Sequence, residues 1–119
     1  MAVRCNTSGD VLVLTLDNPP VNSLSLELRR ELLSRLDEAN VDPNVTSIVL
    51  IGANGVFCGG ADLRALGTPL YWEFPRTIEM AAAIDGLSKP VVAAIGGLAL
   101  GGGLELAMGC RRTGWWRGC

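Results

Sequence analysis

Apolar and polar positions follow two different periods along this chain, and the switches between them mark out its elements. Val11-Leu12-Val13-Leu14-Thr15-Leu16 is an almost unbroken aliphatic run closed by Asp17-Asn18-Pro19-Pro20, which predicts a strand. From Leu26 to about Ala39 the period lengthens. Leu28, Leu32, Leu36 and Ala39 recur at helical spacing, while Glu27, Arg29, Arg30, Glu31, Arg35 and Glu38 fill the other faces. Ser25 stands where an N-cap belongs, and Glu27, Glu31 and Glu38 read as a solvated helix face. Thr46-Ser47-Ile48-Val49-Leu50-Ile51 predicts a second strand, too apolar to keep one face in water. A glycine-rich loop follows from Gly52 to Gly60, then a short helix over Ala61–Leu66 with Asp62 as its N-cap. An amphipathic helix over about Ile78–Leu87 is closed by Ser88-Lys89-Pro90. Val91–Ile95 is a third buried strand, and Gly103–Met108 opens another helix. Strand–helix–strand alternation with continuous apolar strands predicts an α/β fold built from parallel crossovers. Arg111 to Cys119 breaks that alternation and holds two of the three tryptophans. The expected organisation is therefore one unit over residues 1–110 and a divergent tail over 111–119.

Composition narrows the function classes. At 119 residues the chain is at most one domain or part of one, and 49% hydrophobic residues with a mean hydropathy of +0.33 argue for a large core rather than disorder. The net charge is −2, the basic residues are scattered and Lys89 is the sole lysine, so no nucleic-acid footprint or polybasic membrane patch is expected. No signal-peptide pattern opens the chain. The longest uncharged stretch, about Pro90–Leu104, contains Gly97-x-x-x-Gly101 but falls short of the roughly 18 apolar residues a membrane span needs. Cys5, Cys58, Cys110 and Cys119 form no C-x-x-C pair, so zinc is not expected, and Cys58 beside Phe57 reads as core filling. The chain has no histidine. Ser-His-Asp and Cys-His hydrolysis and imidazole acid–base catalysis are thereby excluded. Catalysis would fall to carboxylates, backbone dipoles, Lys89, Tyr71 or the cysteines.

The stretch Ala93-Ala94-Ile95-Gly96-Gly97-Leu98-Ala99-Leu100-Gly101-Gly102-Gly103-Leu104-Glu105-Leu106-Ala107 carries the most chemistry. Glycines let a ligand approach the backbone, and a helix starting at the triple glycine would aim unpaired N–H groups and a positive dipole end at an anion. No glycine triplet here has the dinucleotide spacing, Gly102 occupies the lysine position of a P-loop, and no serine stands in a nucleophile elbow. On the residues alone, Glu105 is either a carboxylate compensating the helix dipole or a proton-transfer group beside the anion.

Phe57-Cys58-Gly59-Gly60-Ala61-Asp62-Leu63 and Lys89-Pro90-Val91-Val92-Ala93-Ala94-Ile95 with Gly101-Gly102-Gly103-Leu104-Glu105-Leu106-Ala107 together resemble the enoyl-CoA hydratase/isomerase (crotonase) family. Asn18-Pro19-Pro20-Val21-Asn22-Ser23-Leu24 is most similar to the amino-terminal hydratase/isomerase part of its peroxisomal bifunctional branch. The resemblance covers roughly Val11 to Cys110. It implies the N-terminal portion of a crotonase-like ββα superhelix acting on 2- or 3-enoyl-CoA thioesters in fatty-acid β-oxidation. The family's two oxyanion-hole amides fall on Ala61 and Gly102, and its first catalytic glutamate on Glu105. Ala61-Asp62-Leu63-Arg64 matches the segment lining the thioester and pantetheine arm, so Asp62, Leu63 and Arg64 are CoA-binding candidates. Arg64 is open to a second reading as an ordinary solvated arginine. Val21, Ser23 and Leu24 fall in the segment near the adenine end of CoA. The resemblance implies no metal and no cofactor, since acyl-CoA is substrate, with NAD involved only where a dehydrogenase half is present. The family's second glutamate, expected about twenty residues past Glu105, has no counterpart here. This leaves a catalytically inactive, weakly acyl-CoA-binding form as the alternative. Peroxisomal residence is implied by the likeness alone, with mitochondrion or cytoplasm open.

Overall fold

The chain begins with a hairpin that its alternation does not reveal. The computed structural model describes residues 2–58, 68–95 and 112–115. Strands β1 (Val3–Ser8) and β2 (Val11–Leu16) pair antiparallel with Ser8 opposite Val11. Gly9, at φ +63°, supplies the positive φ that a two-residue hairpin turn needs at its first central position. Next come α1 (Leu26–Val41), β3 (Ser47–Gly52), a 3₁₀ turn over Ala53–Gly55, α2 (Pro69–Trp72), α3 (Thr77–Asp85), β4 (Val91–Ile95) and β5 (Arg112–Trp115). The sheet order is β1-β2-β3-β4-β5, and every pair after the hairpin is parallel. The segment that breaks the expected alternation thus contains a strand: Arg112–Trp115 continues the ladder beside β4.

Helices α1 and α3, which lie on successive crossovers, touch each other, as right-handed crossovers to sequential neighbours place helices on one face. Leu28, Leu32, Leu36 and Ala39 form the buried stripe of α1. They join Leu14, Leu16, Ile48, Leu50, Val91, Ala93 and Ile95 from the sheet and Met80 and Ile84 from α3 in one cluster. Each such leucine contributes about 1.5–3 kcal/mol by leaving water. Ser25 caps α1, its hydroxyl accepting from Leu28 N–H at 3.1 Å. At the head of α3, the Glu79 carboxylate accepts the Arg76 main-chain N–H at 2.8 Å and its Nε–H at 2.9 Å. Desolvation pushes the Glu79 carboxyl upward, but hydrogen bonds from the Arg76 side chain and main chain, with the guanidinium charge, hold it below the ordinary glutamate value. Among the described residues no helix is long and apolar enough to cross a membrane.

Three positions differ from what periodicity predicts. Arg29, expected on the polar side of α1, is only 4% exposed, and its Nη1 donates to Pro75 O at 3.0 Å and Glu73 O at 3.4 Å. Glu31 is not a solvated carboxylate. It accepts the N–H groups of Ala2 and Val3 at 2.9 and 2.8 Å and so fastens β1 to α1. The apolar run 46–51 predicts burial on both faces, yet burial in β3 alternates. Ile48 and Leu50 are fully buried on the helix side, and Val13, Val49 and Val92, in register on the other face, are half-buried.

Candidate functional site

Because β2, β3 and β4 are parallel, their C-terminal ends share one edge of the sheet, with Leu16 opposite Gly52 and Ile51 opposite Ala94. Ligands of open parallel sheets bind beyond this edge, where the loops leave the strands. The loop after β2 is held by its own side chains. Asn18 Nδ2 donates to Ser23 O at 2.9 Å and to the Ser23 hydroxyl at 3.3 Å, and Ser25 N–H donates to Ser23 O at 2.9 Å. Asn22 sits at its centre, 1% exposed and at φ +55°, a left-handed conformation that asparagine tolerates better than most residues. Its N–H donates to Asn18 O at 2.7 Å and its Oδ1 accepts Asn18 N–H at 2.9 Å, closing the turn on itself.

The same asparagine reaches across to the loop after β3. Its Nδ2 donates to Val56 O at 2.7 Å and Ala53 O at 3.1 Å, and its main-chain carbonyl accepts the Cys58 thiol at 3.1 Å. Both protons of its amide and the amide oxygen thus have partners inside the protein. A buried amide without partners would cost several kcal/mol, so this satisfaction holds the two loops in one arrangement. The second loop also depends on Gly52. A Cβ there would lie 1.7 Å from Val56 O and 2.6 Å from the Phe57 Cα, so the chain folds back over a position that admits only hydrogen. Phe57 and Cys58 are fully buried beneath it, in the core role read for Cys58.

Of the predicted site residues, Val21 is 37% exposed on this edge. Ser23 is half-buried with its hydroxyl and carbonyl bonded to Asn18. Leu24 is 3% exposed, and its side chain belongs to the core. Ala61, Asp62, Leu63, Arg64, Gly102 and Glu105 lie outside the described residues, as do the helices expected over 61–66 and 103–108. Lys89 is occupied at the opposite edge, its Nζ donating to Ala39 O at 2.6 Å and also to Asp42 O. Motif reading passed over two residues that build the described part of the site, Asn22 and Gly52. For Asn22 the available signal was an asparagine directly after Pro-Pro-Val in a turn. Gly52 was marked only as the start of a glycine-rich loop, because its reason is a contact with residues that fold back on it.

The fold recurs in proteins of known name. The family model described as enoyl-CoA hydratase/isomerase matches residues 6–112. The peroxisomal bifunctional enzyme of Danio rerio is 49% identical over 100 residues, covering 84% of this chain and 14% of that protein. Its Homo sapiens counterpart is 44% identical over 111 residues, covering 92% of this chain and 15% of that protein. The chain therefore spans about one seventh of the length of these relatives. The crystal structure of enoyl-CoA hydratase from Bacillus anthracis superposes with a TM-score of 0.83 at 31% identity, covering 97% of this chain and 50% of the other. The strand–loop edge built around Asn22 and Gly52 is thus the described part of a shared crotonase fold, and the chain belongs to the enoyl-CoA hydratase/isomerase family.

Proposed function

We propose that this chain carries enoyl-CoA hydratase and 3,2-enoyl-CoA isomerase chemistry of fatty-acid β-oxidation, with Ala61 and Gly102 N–H groups as the oxyanion hole and Glu105 as the proton-transfer group. One observation carries the reading: the two motif segments follow the same ends of adjacent, parallel strands β3 and β4. Two donors sharing an oxygen at about 3 Å stand no more than about 6 Å apart. Neighbouring strands lie about 4.8 Å apart, so loops leaving β3 and β4 at one edge start within that reach.

In hydration, the water oxygen bonds to Cβ of the enoyl thioester and the π electrons move through Cα to the carbonyl oxygen. Glu105 orients the water and takes a proton from it as it attacks, the two amides hold the resulting enolate, and Glu105 returns the proton to Cα. In isomerisation, Glu105 takes a proton from Cα of the 3-enoyl thioester, the same amides hold the enolate, and Glu105 returns the proton at Cγ. Losing one such donor costs about 2.7–4 kcal/mol of transition-state stabilisation. Asp62, Leu63, Arg64 and the 21–24 turn would contact CoA, with Leu24 offering main-chain atoms because its side chain is in the core. The names of the relatives support peroxisomal residence.

The test is loss of the conjugated thioester absorbance of crotonyl-CoA in the presence of the chain. Turnover above a Glu105→Gln control supports catalysis. Absence of turnover with retained crotonyl-CoA binding supports the acyl-CoA-binding alternative instead.

A further inference from the structure

We infer that Asn22 is a positioning residue that couples the two loops of the acyl-CoA site, so that the CoA-facing turn at 21–24 and the loop over residues 53–58 keep one fixed spacing. The inference rests on the acyl-CoA reading for its functional meaning, and on the hydrogen bonds for its mechanics. Asn22 is 1% exposed and spends its amide on both sides of the gap: Oδ1 takes Asn18 N–H on its own loop, and Nδ2 gives one proton each to Ala53 O and Val56 O. Its main-chain carbonyl takes the Cys58 thiol, the last described position before the segment containing Ala61. No ligand contact is required of it. The sequence neighbours Val21 and Ser23, rather than Asn22, face the substrate in the proposed reading. Without the amide, the two loops would keep the bond from the Cys58 thiol to the main-chain carbonyl of residue 22 but lose both bonds from Nδ2, and their spacing would become variable. Ligands that span both loops depend on that spacing, because a displacement of about 1 Å in a positioned group is enough to cost about 100-fold in catalysis.

The test uses Asn22→Gly, since glycine adopts φ +55° freely and the substitution removes the side-chain amide while keeping the main-chain carbonyl that accepts the Cys58 thiol. Lys89→Met, at the opposite edge of the sheet, serves as a control that loses two part-buried hydrogen bonds without touching either loop. Affinity is measured for CoA alone and for acetoacetyl-CoA, which in the proposed reading meets the first loop with its adenine end and the second with its β-keto thioester. The expected result is that Asn22→Gly loses about tenfold of the affinity that the acetoacetyl group adds to CoA, a loss of the size one buried hydrogen bond carries. Lys89→Met keeps that increment within about twofold, a difference inside ordinary hydrogen-bond variation. An unchanged increment in Asn22→Gly overturns the inference. If the unmodified chain binds neither ligand, the functional reading fails, and hydrogen exchange then decides the coupling. Faster exchange in Asn22→Gly at Val56–Cys58 as well as at Asn18–Ser25 supports it, whereas faster exchange confined to Asn18–Ser25 overturns it.

Discussion

The two edges of the sheet are held together by different physics. At the N-terminal edge of the parallel strands, the fastenings are exposed or half-exposed. Thr46 Oγ1 donates to the Asp10 carboxylate at 2.7 Å, Asn44 N–H to Asp42 Oδ1 at 2.9 Å, and the Ser88 hydroxyl to Asn40 Oδ1 at 2.8 Å. Lys89 places its ammonium on the last carbonyls of α1, where the negative end of the helix dipole favours a cation. Water can replace most of these partners, so each contributes little. At the C-terminal edge the corresponding work falls to a fully enclosed amide and a glycine with no room for a methyl group. There water has no access and the alternatives to the native contacts are costly. One edge tolerates change. The other specifies a geometry, and it is the edge from which the proposed catalytic segments leave.

Four measurements break or sharpen that contrast, beginning with the largest effect. Gly52→Ala drives a methyl group into the Val56 carbonyl and should cost about 3 kcal/mol or more, read as a lower urea midpoint. Acyl-CoA affinity should fall with it; a variant as stable as the unmodified chain would show that the fold-back of residues 53–58 is not needed. Lys89→Met removes two bonds at the opposite edge and should lower stability by about 1 kcal/mol in the same titration. If its acyl-CoA affinity also drops sharply, the edges are not independent. Ser25→Ala removes the N-cap of α1 and should cost about 1 kcal/mol or slightly less, seen as a lower thermal midpoint with the helical signal retained below it.

The smallest effect is in pH. Glu79 has a lowered pKa in the folded chain, so its contribution is fully present above the unfolded value and is lost as pH falls through the folded one. Acidification below about pH 4 should therefore loosen the start of α3, and Glu79→Gln should remove that pH-dependent component. An identical acid profile for the two proteins would assign the acid sensitivity to other carboxylates.

The readable and unreadable parts of the fold divide along the same physical line. The strand expected over 11–16, the helix capped by Ser25 and the strands near 46–51 and 91–95 were legible because one face of each is buried. Burial imposes a period on the sequence. In α1 the observed helix runs to Val41, two residues past Ala39, and α3 occupies Thr77–Asp85 rather than 78–87. β1 was not legible: only Val3 is buried in it, and its place comes from main-chain bonds to β2 and from the Glu31 carboxylate. β5 is likewise defined by its ladder with β4 rather than by any pattern of its own. Arg29 reads as a surface charge until the carbonyls of Glu73 and Pro75, more than forty residues away, are brought to it.

By itself, then, the sequence determined which segments bury a face, the α/β class and, through its two glycine motifs, the family. Those properties are local or periodic, written into residues close together along the chain. The tertiary structure decided the pairing of β1 and β5, the burial of Arg29, the capping of α1 by a distant lysine, and the joining of two loops through Asn22. Each of these depends on a polar group finding its partner across tens of residues. Nothing in a residue's immediate neighbours encodes where the fold will deliver that partner.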